Sequence, residues 1–125
     1  MTASRAHFSY RDVDVYPPYP NEDPADLVGA ADDGELVRVA KLDGRVIGAY
    51  RLARTAQARF AIKALVVDEK HRGCGVGRWL LGHAIGIAES KGGRVIDAPP
   101  GAKSFFARSG FEPAGDILRL SLTPE

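Results

Sequence analysis

The chain has 125 residues, 45% hydrophobic and 26% charged, with a formal net charge of +1. That length suits a single domain spanning 1–125 around one core. The near-neutral charge, with no basic cluster, argues against nucleic acid or an anionic membrane as partner. No apolar run approaches the roughly 20 residues of a membrane span, and the N-terminus lacks an apolar signal segment. Cys74 is the only cysteine, which rules out an internal disulfide and a cysteine-built zinc site. A cytoplasmic protein that binds no metal is expected.

In chain order, Phe8, Tyr10, Val13 and Val15 suggest an imperfect first strand. The stretch 16–24 (YPPYPNEDP) is too proline-rich for a helix or a central strand, and a short helix is expected over 24–31, with Pro24 near its start. Segments 35–42 and 45–54 alternate apolar and polar residues around Asp43-Gly44, a strong hairpin signal. A further strand is predicted over 58–67, after a turn at Thr55-Ala56-Gln57. Val76, Leu80, Ala84 and Ile87 then share one face of a helix running to about Lys91, where Gly92-Gly93 stops it. A short strand over 94–98 halts at Pro99-Pro100, a short helix over 102–109 ends at Gly110, and 117–122 alternates as a last strand.

The most informative stretch joins the strand ending at Val67 to the helix beginning near Val76. Gly73, Gly75 and Gly77 leave this loop without Cβ atoms, so backbone N–H groups can converge at the helix N-terminus. Orphan amides and the positive end of the helix dipole favour an anion there, so the expected ligand carries phosphates. The spacing is not that of a dinucleotide fingerprint, which would need glycine where Arg78 or Leu80 stands, and no Gly-Lys-Ser/Thr tripeptide occurs. A glycine-rich connection with no ligand is the alternative on these residues alone.

Arg72, Gly75 and Gly77 fill the pattern Arg-x-x-Gly-x-Gly between strand and helix. The segment resembles the acyl-coenzyme A pyrophosphate loop of the GNAT N-acetyltransferase superfamily. Ala102-Lys103-Ser104-Phe105-Phe106-Ala107-Arg108-Ser109-Gly110-Phe111 is similar to a second segment of that family, A-x-x-F-[FY]-x-x-x-G-F. The resemblance covers roughly 35–122. It implies an α+β GNAT fold: a mixed, mostly antiparallel twisted sheet with a strand/glycine-loop/helix cofactor site and central parallel strands that splay apart. It further implies that acetyl-coenzyme A, or another acyl-coenzyme A, is held by Leu65, Val66 and Val67 on the strand, by Arg72, Gly73, Cys74, Gly75, Val76, Gly77 and Arg78 in the loop, and by Phe105 and Phe106.

Four departures bear on mechanism. Fewer than 20 residues, several of them proline, stand where the family has two helices walling the acceptor site. An open acceptor side is therefore expected, or one completed by a second copy in a homodimer. Pro99 replaces a frequent asparagine. The tyrosine that often protonates the departing thiolate falls at Phe106, and the strand glutamate that serves some members as base falls near Ala61. Ser104 is the nearest hydroxyl left and a weak candidate acid; Asp32, Asp33 and Glu35 are alternative sources of a base. Cys74 near a helix N-terminus could be a nucleophile but reads more simply as a loop residue valued for its amide. His71 and His83 read as a solvated loop residue and a helix-edge packing residue, and Tyr16 and Tyr19 as lining the open acceptor side or packing the loop down.

The reading is an acyl-coenzyme A-dependent N-acyltransferase acting on a small-molecule or peptide amine by direct attack in a ternary complex. The competing class is an acyl-coenzyme A-binding regulatory module with little catalysis.

Overall fold

The computed structural model describes residues 10–122, so Phe8 lies outside them. Tyr10–Asp12 form one 3₁₀ turn, and the first strand, β1, is confined to Asp14–Tyr16. Helix α1 (Ala25–Val28) follows Pro24 and spans four residues, shorter than 24–31 because Gly29 takes a positive φ of 79°. Strands β2 (Leu36–Leu42) and β3 (Arg45–Ala56) form the expected hairpin. Asp43 and Gly44 both have positive φ, 52° and 80°, which gives the two-residue turn a twist matching its strands.

Strand β3 continues to Ala56, two residues beyond the sequence expectation, and the turn into β4 (Arg59–Val67) is Gln57-Ala58. The polar and alanine-rich end of β3 offers no hydrophobic signal, and cross-strand pairing with β4 carries it on. Helix α2 runs over Val76–Ser90, followed by β5 (Val95–Ala98). The short C-terminal helix resolves into a 3₁₀ turn at Pro100–Ala102 and α3 (Lys103–Ala107). Strand β6 (Glu112–Ala114), absent from the sequence reading, precedes β7 (Ile117–Ser121). Its three residues include Pro113, which is tolerated because β6 is an edge strand.

The seven strands lie in the order β1-β2-β3-β4-β5-β7-β6. Every pair is antiparallel except β4–β5, which is parallel over only three rungs, ending at Ala61↔Asp97. Beyond that rung β4 pairs with β3 alone, so its other edge is free from Ile62 to Val67. Helix α2 covers one face, burying Tyr50, Leu52, Phe60, Ile62, Leu80, Leu81 and Ile96 in the main core. Helix α1 seals a smaller cluster of Val28, Val39 and Ala49 on the opposite face.

A register shift between Arg51 and Leu52 leaves Lys63 without a cross-strand partner in β3. The bulge reverses the alternation of β4. Ile62 belongs to the α2 side, whereas Ala64 and Val66 join the α1 cluster and Leu65 and Val67 return to the main core.

Candidate functional site

The free edge of β4 runs straight into the glycine loop. Asp68 caps the 3₁₀ turn Glu69–His71 by accepting a hydrogen bond from the Lys70 amide at 3.0 Å. That bond, helped by the nearby His71 and Lys70 charges, holds its carboxyl below the ordinary aspartate value. Arg72 folds back so that its Nε donates to the Val67 carbonyl at 2.8 Å, tying the loop to the strand end. Gly75 then starts α2 in the left-handed region, with φ of 90°, a conformation that L side chains adopt only at a cost. A Cβ there would also lie 3.2 Å from the Tyr10 ring. Two residues on, a Cβ at Gly77 would stand 3.2 Å from Cε1 of Phe105. Both glycines thus permit close approaches, one behind the loop and one in front of it.

Between β4, the loop and α3 lies a cleft of about 570 Å³. Leu65, Val67, Ala102 and Phe105 give it an apolar wall. Gly73, Gly75 and Gly77 form its floor, where the first-turn amides of α2 have no intrahelical acceptor. Arg72, Arg78 and Arg108 ring it with positive charge. A phosphorylated head at the helix N-terminus, with an extended amide-bearing arm along the unpaired edge of β4, fits these groups: amides and guanidiniums meet the charge, and the strand edge meets the arm.

The structure brings most of the sequence-selected residues to this cleft: Leu65, Val67, Arg72, Gly73, Gly75, Gly77, Arg78 and Phe105. It places five others differently. Val66 faces the α1 side, where it borders a second cavity of about 430 Å³. Val76 is a buried core residue. Cys74 turns its thiol back toward the Arg72 carbonyl, 3.6 Å away. Phe106 is 3% exposed and packs edge-on against Phe111, with centroids 5.1 Å apart. Its ring belongs to the core, and Phe105 is the aromatic that faces the cleft. Ser104 is exposed and away from the cleft wall.

Ala102 and Arg108 are cleft residues that the sequence did not single out. Arg108 lies at the end of α3, and only the fold carries it to the glycine loop. Of the alternative candidates, Glu35 is engaged by the Asp32 amide at 3.0 Å and Arg51 at 3.0 Å, which lower its pKa in that order. Tyr16 and Tyr19 stack on each other at 5.3 Å, with the ammonium of Lys41, itself paired with Glu22, 4.9 Å from the Tyr19 ring centre. His83 bonds to Tyr50, and His71 lies beside Asp68.

A strand, a glycine loop and a helix N-terminus beside splayed parallel strands define the class as GNAT-like. The model of the Acetyltransferase (GNAT) family matches residues 4–111, and the chain belongs to that family. Solved structures share the fold at low identity. A GNAT family acetyltransferase from Elizabethkingia anophelis, solved with acetyl-CoA bound, is 19% identical over 89% of this chain and 99% of its own, with a TM-score of 0.77. The IAA acetyltransferase from Bacillus cereus ATCC 14579 is 24% identical over 88% and 98%, with a TM-score of 0.73. An N-acetylglutamate synthase from Neisseria gonorrhoeae, complexed with coenzyme A and N-acetyl-glutamate, matches 90% of this chain at 20% identity with a TM-score of 0.77, through 35% of its own length. No curated protein matches the sequence.

Proposed function

We propose that the protein is an acyl-coenzyme A-dependent N-acyltransferase, a single domain that moves an acetyl group to the amine of a small molecule or peptide in the cytoplasm. The observation that carries this reading is the junction of the free β4 edge with the glycine loop at the N-terminus of α2. The bound thioester supplies the activated acyl group. The chain's own contribution is positional. Loop amides and Arg72, Arg78 and Arg108 hold the phosphates, the backbone of 62–67 orients the arm, and a strand N–H near Leu65 polarises the carbonyl under attack. Helix α1 is the only helix among the described residues on the acceptor face, which leaves a wide approach for the amine.

Isothermal titration with coenzyme A, followed by a thiol-release screen across amino acids, polyamines, aminoglycosides and peptide N-termini, tests the proposal. Saturable binding that weakens in both Gly75→Glu and Gly77→Glu, with amine-dependent thiol release, is the expected result. Unchanged affinity in both variants overturns the site. The absence of a carboxylate at Ala61 and of a hydroxyl on Phe105, the aromatic that faces the cleft, favours a second reading, a regulatory coenzyme A-binding module. Tight binding with no turnover on any amine would establish it.

A further inference from the structure

The proton that must leave the acceptor amine has no partner on β4, because no acid lies between Arg59 and Val67. The sheet supplies one from the next strand. We infer that Asp97 receives the acceptor's ammonium group and takes its proton, an assignment that rests on the acyltransferase reading above.

Asp97 is the β5 partner of Ala61 in the last parallel rung, where β4 and β5 part. Neighbouring strands are about 4.8 Å apart, so Asp97 stands one strand over from Ala61, on the same face of the sheet and at the same level along it. Ile96 and Ala98 are buried on the α2 side, so by strand alternation Asp97 emerges on the opposite, open face, beside Ala53 and Ala61.

Its two oxygens are separately oriented: Oδ1 accepts from Arg119 Nε at 2.8 Å and Oδ2 from Arg59 Nη2 at 3.3 Å. Each oxygen retains a lone pair for an incoming N–H. Asp97 is held at 16% side-chain exposure, against 38% for Arg59 and 37% for Arg119. The carboxylate is thus fixed in place yet reachable. Further charged side chains on this face are Lys63, two residues along β4, the Arg51–Glu35 pair, whose carboxylate feels the Lys63 charge, and Glu112, the cross-strand partner of Arg119. In the step assigned here, the ammonium N–H proton passes to a carboxylate oxygen of Asp97. The nitrogen lone pair then forms the new C–N bond as the C–S bond breaks, and the second N–H proton, made acidic by that bond, leaves the nitrogen through solvent as the departing thiolate takes up a proton from it.

The test compares wild type and Asp97→Asn on two acceptors: the amine with the highest turnover in the screen, and hydroxylamine, which is already neutral at pH 7. Asp97→Asn should fold and keep its coenzyme A affinity by melting and titration. It should lose about 10²-fold or more in kcat/KM toward the amine at neutral pH, within the usual range for proton transfer. The deficit should shrink as pH approaches the amine's own pKa, and hydroxylamine should be acylated at close to the wild-type rate. Equal losses on both acceptors, a loss independent of pH, or no loss overturns the assignment while leaving the acyltransferase reading intact. A wild type that binds coenzyme A and acylates nothing overturns both. Should Asp97→Asn not fold, Asp97→Glu carries the test: it keeps a carboxylate and should retain the wild-type pH profile at reduced rate, and a lost pH dependence counts against Asp97.

Discussion

The hydroxyl of Tyr50, buried in the main core, meets Nδ1 of His83 on α2 at 2.7 Å, and burial pushes the two groups apart in acidity. It raises the Tyr50 pKa and lowers that of His83, the latter assisted by the charge of Arg38, the cross-strand partner of Tyr50. Because native His83 resists protonation, the unfolded chain binds more protons as pH falls below about 6.5, and stability drops in that interval. Thermal melting between about pH 7 and pH 5 should show this slope, and His83→Gln should flatten it. Glu22, Glu35 and Asp68, whose pKa values are lowered by hydrogen bonds and paired cations, lose their contribution at still lower pH. Tyr50→Phe should cost about 1 kcal/mol through the lost hydrogen bond.

Gly75 and Gly77 should respond differently to alanine. Gly75→Ala forces a side chain into a left-handed conformation, costing about 1–2 kcal/mol, and pushes on Tyr10. It should lower both melting temperature and coenzyme A affinity. Gly77 lies within α2, where alanine is the better helix former by about 1 kcal/mol, but its Cβ would press on Phe105. Gly77→Ala should therefore melt no lower than wild type while binding the cofactor more weakly. Melting and titration on the same samples separate the two effects.

Cys74→Ala should keep cofactor affinity and most of the turnover. The thiol points to a backbone carbonyl rather than into the cleft, and alanine preserves the loop amide. A loss of about three orders of magnitude in kcat with intact binding would instead indicate a covalent acyl-cysteine route.

Phe106→Tyr tests the placement of the second family segment. The resemblance to the family's segment implies a tyrosine hydroxyl there, near the departing thiolate. The structure puts the ring against Phe105 and Phe111, so the added hydroxyl should cost about 1–3 kcal/mol and yield no gain in turnover. A faster variant of unchanged stability would show that the ring reaches the reaction centre.

Where the sequence was legible, local chemistry spoke for itself. Asp43-Gly44 set a hairpin register, and three glycines between a β-branched run and an amphipathic helix marked the loop that opens α2 and floors the cleft. What it concealed depends on distant pairing. The end of β3 and all of β6 exist because neighbours supply hydrogen bonds, not because their residues favour strands. Val66 looked equivalent to Val67 until the unpaired Lys63 fixed which of them faces the cleft. Phe105 and Phe106 are adjacent aromatics whose division between cleft and core is decided by Phe111 and Gly77. Arg108 and Asp97 acquire their places only when α3 and β5 are brought beside β4.

Three rungs between β4 and β5, against eight between β3 and β4 and four between β5 and β7, make the sheet a pair of antiparallel blades fastened near one end. Helix α2 braces one side of this joint through Phe60 and Ile96. A ligand seated in the cleft lies along Leu65 and Val67 on one blade and against Phe105 of α3, the helix that joins β5 to β6 in the other. It therefore works as a splint: amide exchange along 62–67 should slow on binding, and two blades that can loosen separately should unfold as one.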